Sequence, residues 1–151
     1  MSRKINNYII NNIYQFRYKI YHINTNEGTN MPSILVVEDN SMNMELVTYL
    51  LEANGIDTTQ AFNGLEALEK VQEKSFDLIL LDIQLPGIDG IEVLRRMKDE
   101  LKLTDITVVA LTAHAMKGDK KHFIEAGCTG YISKPIDVSQ FMDQVNAFLE
   151  K

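Results

Sequence analysis

Four short apolar runs in this chain end in the same way, each on a polar residue where a loop begins. Ile34-Leu35-Val36-Val37 stops at Glu38-Asp39, and Leu78-Ile79-Leu80-Leu81 stops at Asp82. Val108-Val109-Ala110-Leu111 stops at Thr112, and Tyr131-Ile132-Ser133 stops at Lys134-Pro135. Short β-branched runs that alternate with helical patterns are the signature of repeated βα units around a parallel sheet. Strands are predicted over 34–38, 57–61, 77–82, 107–111 and 130–133, with a helix after each. A parallel sheet places the carboxyl ends of all its strands on one edge. Three carboxylates, a hydroxyl and an ammonium therefore converge there.

Local signals refine this layout. The second strand, Asp57-Thr58-Thr59-Gln60-Ala61, is the most polar and belongs at a sheet edge. The first helix carries Met44, Val47, Leu50 and Leu51 on one face and stops at Gly55, a favoured residue just past a helix end. The last helix presents Val138, Phe141, Met142, Val145, Phe148 and Leu149 as one stripe, read as core contact rather than a cofactor site. Gly64, Gly87 and Gly90 read as turn and helix-start residues, without the spacing of a phosphate-binding loop, so no nucleotide site is expected. His22 and His122 are expected to be solvated, whereas His114, two residues past Thr112, could overhang the acidic edge.

The composition changes at Met31. Asn, Ile and Tyr supply 17 of the first 30 residues, with Asn pairs interrupting every apolar stretch. Residues 24–30 read as a linker. Residues 1–30 are accordingly read as an N-terminal extension, disordered or lying upstream of a true start at Met31, and residues 31–151 as the folded domain. An alternative is a basic amphipathic helix that uses Ile5, Ile9, Ile13 and Phe16 to touch a membrane or a partner.

Charge and cysteine content exclude several functions. The chain carries −6 overall, but Arg3, Lys4, Arg17 and Lys19 against Glu27 make the first 30 residues +3 and leave −9 in the rest. An acidic domain is repelled by phosphate backbones, so direct DNA binding is not expected. No apolar run approaches the ~20 residues needed to span a bilayer. With one cysteine, Cys128, and no secretory signal, a cytoplasmic location is expected and Cys128 is read as a small packing residue.

The edge chemistry suits a divalent cation and a phosphoryl group. Magnesium is held by one or two carboxylates together with waters and phosphate oxygens. Asp39 and Asp82 fit that sparse set, with Glu38 acting through a water and the backbone carbonyl of Gln84 adding a neutral oxygen. Asp82 is then a candidate nucleophile, because aspartate forms acyl phosphates. Lys134 supplies a charge and Thr112 a hydroxyl to phosphoryl oxygens.

The stretches Val36-Val37-Glu38-Asp39-Asn40, Leu80-Leu81-Asp82-Ile83-Gln84-Leu85-Pro86-Gly87, Leu111-Thr112-Ala113 and Gly130-Tyr131-Ile132-Ser133-Lys134-Pro135 resemble the CheY-like receiver domains of bacterial response regulators. The resemblance covers nearly all of residues 33–150 and is nearest to single-domain regulators of the DivK type. It implies an α/β, doubly wound (βα)5 flavodoxin-like fold with a five-stranded parallel sheet of order 2-1-3-4-5. It also makes Asp82 the phosphoacceptor, places Glu38 and Asp39 at a magnesium site, and assigns Thr112 with Ala113 to the phosphate-binding switch. Tyr131 becomes the aromatic rotamer partner, Lys134 the phosphate-sensing cation, and Lys134-Pro135 a cis bond.

The implied role is a switch in a two-component phosphorelay, phosphorylated by a histidine kinase or histidine phosphotransfer protein. It would signal through the fourth helix, fifth strand and fifth helix and would not turn over a substrate as an enzyme. With no chain after Lys151, no effector domain of its own is expected. A phosphorelay intermediate of the hybrid-kinase type is the alternative within the family. An aspartyl-phosphate phosphatase of the haloacid dehalogenase type is the rival from the enzyme class. That class resembles DxDx[TV], whereas Gln84 here leaves no second carboxylate for acid/base work. A flavin-binding protein on the same fold is a further rival.

Overall fold

The computed structural model describes residues 31–114 and 116–151. Reading along the chain, the elements are β1 (Ser33–Val37), α1 (Ser41–Ala53), β2 (Asp57–Ala61), α2 (Gly64–Glu73) and β3 (Leu78–Asp82). They continue as α3 (Gly90–Asp99), β4 (Val108–Thr112), α4 (Lys117–Ala126), β5 (Gly130–Ser133) and α5 (Phe141–Leu149). The sheet is parallel throughout, with strand order β2-β1-β3-β4-β5. That is the doubly wound, flavodoxin-like arrangement that the family resemblance implies. Residues 1–30, and with them the two readings of the extension, lie outside the described residues.

Alternation along each strand sends successive side chains to opposite faces, and both faces are buried. Leu35, Val37, Ile79, Leu81, Val108 and Ala110 pack against Ala67 and Val71 of α2, Val93, Leu94 and Met97 of α3, and Phe123 of α4. Ile34, Val36, Leu78, Leu80, Val109 and Leu111 pack against Met44, Val47 and Leu51 of α1 and Phe141 and Val145 of α5. This is why the central strands read as continuous apolar runs. β2 lies at the edge, as its polar sequence requires, with Asp57 and Gln60 exposed.

Helix starts follow the capping rules for three of the five. Asn40 Oδ1 accepts from Asn43 N at 3.0 Å, Asn63 Oδ1 from Glu66 N at 2.9 Å, and Asp89 Oδ1 from Glu92 N at 2.9 Å. α4 starts after Met116 with no side-chain cap, and Phe123 is its only fully buried side chain among those described. Cys128 is buried, and burial pushes its thiol up to about 11 against the opposing charge of Lys98. It is the packing residue expected from the sequence.

Boundaries differ from expectation by a residue or so. Glu38 lies just past β1 rather than at its end, while Thr112 is the last residue of β4 rather than the first of its loop. Val138 is a larger departure, because it lies outside α5 and is 56% exposed. Its neighbour Asp137 accepts from Ser139 N at 2.9 Å and Ser139 Oγ at 2.6 Å, which curls residues 137–140 into a turn. The apolar stripe thus begins at Phe141.

Candidate functional site

Register brings the polar strand ends together. Val37 pairs with Leu81, so Glu38 comes level with Asp82, and Asp82 in turn pairs with Leu111, one residue before Thr112. Thr112 pairs with Ser133, one residue before Lys134. Four of the residues read from the sequence therefore form one cluster at the carboxyl edge of the sheet. Glu38, Asp39 and Asp82 each bring a carboxylate oxygen within 4.8 Å of the others. Lys134 Nζ donates to Glu38 Oε2 and to Asp82 Oδ2, both at 2.9 Å.

Backbone donors hold the remaining carboxylate oxygens. Asn40 N donates to Glu38 Oε1 at 3.1 Å, and Gln84 N donates to Asp82 Oδ1 at 2.8 Å. Glu38 and Asp82 are 1% and 2% exposed, which such carboxylates tolerate only when paired and hydrogen-bonded. Asp39 is exposed and faces the solvent side of the cluster. Burial disfavours the Lys134 charge, but the hydrogen bonds to Glu38 and Asp82 outweigh it and hold the ammonium above its ordinary range.

Other predicted residues lie nearby without joining the cluster. The Thr112 hydroxyl, fully buried, accepts from His114 N at 3.0 Å and lies 3.2 Å from His114 O, so it is engaged within its own loop. Ala113 and the His114 side chain are exposed. Tyr131 is half-buried on β5, where it pairs with Ala110 and packs with the α2 to α4 side of the core. Thr112, two residues on from Ala110, lies on that same sheet face. Lys120 Nζ lies 5.9 Å from the centroid of the Tyr131 ring. The Lys134-Pro135 bond is cis.

Asn40 and the amide of Gln84 are contributors that residue chemistry alone did not reveal. Both act through backbone N–H groups, for which side-chain type gives no signal.

The donor set fits a hard divalent cation. All three candidate ligands are carboxylates, and one ammonium opposes them, leaving an excess of negative charge at a partly buried edge. Oxygen-only ligation by few carboxylates suits magnesium.

Comparison with known proteins agrees with this geometry. Residues 34–146 match the family model described as the response regulator receiver domain. The polar-differentiation response regulator DivK of Brucella anthropi is 48% identical over 117 residues, covering 78% of this chain and 95% of that protein. Among solved structures, the receiver domain of the sensor histidine kinase PA1611 of Pseudomonas aeruginosa, with a magnesium ion coordinated in its active-site cleft, has a TM-score of 0.73 at 27% identity. That match covers 81% of this chain and 100% of the other. The receiver domain of Ssk1, solved with the histidine phosphotransfer protein Ypd1 of Saccharomyces cerevisiae, also has a TM-score of 0.73, at 28% identity over 81% of this chain and 91% of the other. The chain belongs to the response regulator receiver family, as a receiver domain of the DivK type in two-component signalling.

Proposed function

We propose that the chain is a cytoplasmic response regulator receiver that accepts a phosphoryl group on Asp82 and signals through phosphorylation-dependent protein contact. The observation that carries this reading is the placement of Asp82. Its buried carboxylate is held at one oxygen by Lys134 and at the other by the amide of Gln84, at the mouth of an acidic cluster. A carboxylate fixed in this way is oriented before the donor arrives.

In the proposed reaction a carboxylate oxygen of Asp82 attacks phosphorus and forms a P–O bond while the P–N bond to a donor histidine breaks. The imidazole leaves and takes a proton. Lys134, already 2.9 Å from Asp82 Oδ2, needs little movement to meet a phosphoryl oxygen. The Thr112 hydroxyl would exchange its contacts with His114 for a second phosphoryl oxygen, drawing the β4 to α4 loop inward. Tyr131, on the same sheet face, would follow into the space vacated, altering the surface of α4, β5 and α5.

Magnesium is the implied cofactor; Asp39 and Asp82 would hold it, with Glu38 acting through a water and the backbone carbonyl of Gln84 adding a neutral oxygen. When bound, it supplies charge neutralisation between the carboxylates and the incoming phosphoryl group. The phosphodonor would be a histidine kinase or histidine phosphotransfer protein, a class represented by the partner in the Ypd1 and Ssk1 complex. Among the described residues no helix is long and apolar enough to cross a membrane. Residues 31–151 constitute the functional unit in this reading. Acetyl phosphate with magnesium should add one phosphoryl group, and chelation of the metal should prevent it.

A further inference from the structure

We infer that Gly90 is a positioning residue for Asp82, an inference that rests on the reading of Asp82 as the phosphoacceptor. Gly90 opens α3, eight residues after Asp82 in sequence, yet folds back onto it. A Cβ built on Gly90 would lie 2.5 Å from the carbonyl oxygen of Asp82 and 2.8 Å from Cα of Ile83. Both are backbone atoms and neither can swing aside. Gly90 N also donates to the carbonyl of Ile83 at 3.0 Å, closing the segment between β3 and α3 into a loop.

That loop carries the group that orients the acceptor. Gln84 N, inside it, donates to Asp82 Oδ1 at 2.8 Å. Across the sheet, Ile83 N donates to the carbonyl of Leu111 at 3.1 Å, so β4 holds the Asp82-Ile83 backbone from the other side. The backbone beneath the acceptor is therefore held between β4 and the first residue of α3. Any side chain at position 90 forces either α3 or the Asp82-Ile83 backbone to retreat by roughly 1 Å to restore ordinary contact. A displacement of that size at a reacting group can cost on the order of 100-fold in rate.

Gly130 provides a control in which a Cβ meets a neighbour at the same distance, but a side chain rather than backbone, and without this link. Its Cβ would lie 2.5 Å from Phe148 Cε1 and Cζ, at the tip of a side chain, at the start of β5 and away from the acidic edge. The test compares labelling of the full chain by acetyl phosphate and magnesium, per folded molecule, in wild type, Gly90→Ala and Gly130→Ala. Gly90→Ala is expected to label about 10- to 100-fold more slowly, with Gly130→Ala within about twofold of wild type even where both lose thermal stability. Wild-type labelling rate in folded Gly90→Ala overturns the inference, as does an equal loss in Gly130→Ala. Absence of labelling in wild type instead overturns the assignment of Asp82 beneath it.

If Gly90→Ala does not fold, amide exchange in the unmodified chain decides the matter. The Gly90 amide should be protected to the same degree as that of Ile83. Exchange of Gly90 at the rate of an open loop would overturn the closure on which the inference depends.

Discussion

Lys134 Nζ lies 2.9 Å from Asp82 Oδ2 and 2.9 Å from Glu38 Oε2, a single ammonium joining two carboxylates that are almost wholly buried. Its removal leaves those two buried charges facing each other without a counter-ion. Breaking a buried pair from one side costs about 3 kcal/mol or more. Lys134→Met should therefore lower the thermal midpoint by on the order of 10 °C in the absence of divalent cation. Magnesium should restore more of this loss in the variant than it adds to wild type, which scanning calorimetry with and without the ion can read.

The same pair sets an alkaline limit. The Lys134 ammonium is raised above its ordinary 10.5 in the folded chain, so its contribution is fully present below that value and is lost as pH climbs through the higher folded one. No change from this source is expected at neutral or acid pH. Tyrosines titrate in the same alkaline range, so the informative quantity is a difference. Between pH 8 and pH 11 the urea midpoint of wild type should fall further than that of Lys134→Met.

Thr112→Ala separates acceptance from output. The hydroxyl touches His114 rather than Asp82, so the variant should take up phosphate at close to the wild-type rate. A partner that discriminates the two forms should do so less well, by part of the ~1 to 3 kcal/mol typical of such coupling. Equal discrimination by the variant in a binding titration would place the signal on another route.

Removal of residues 1–30 should change little. β1 starts at Ser33, and its amide is already held by Asp77 Oδ2 at 2.7 Å within the domain. A chain starting at Met31 should label with acetyl phosphate as the full chain does and melt within ~5 °C of it. A larger fall would show that the extension packs on the domain.

The sheet was legible because buried parallel strands leave so direct a trace. Leu78 to Leu81 can be apolar throughout only if both faces are covered, and the one polar edge strand stood out as Thr58-Thr59-Gln60. The cluster of Glu38, Asp39, Asp82 and Lys134 was legible for a related reason, since parallel strands must deliver their last residues to one edge. What escaped was backbone chemistry. The amides of Asn40 and Gln84, and the contact of Gly90 with the Asp82 carbonyl, depend on loop paths that no side-chain type announces. Val138 was misplaced because its apolar character matched the helical period, while the side-chain hydrogen bonds of Asp137 that delay α5 were not visible in that period.

The central claim is that Asp82 is the acceptor, and mapping the modified residue tests it most directly. After incubation with acetyl phosphate and magnesium, intact-mass and peptide analysis should show one phosphoryl group, labile to hydroxylamine, on the peptide containing Asp82. Asp82→Asn should show none. Equal labelling of Asp82→Asn, or a modified residue outside the acidic edge, would contradict the assignment.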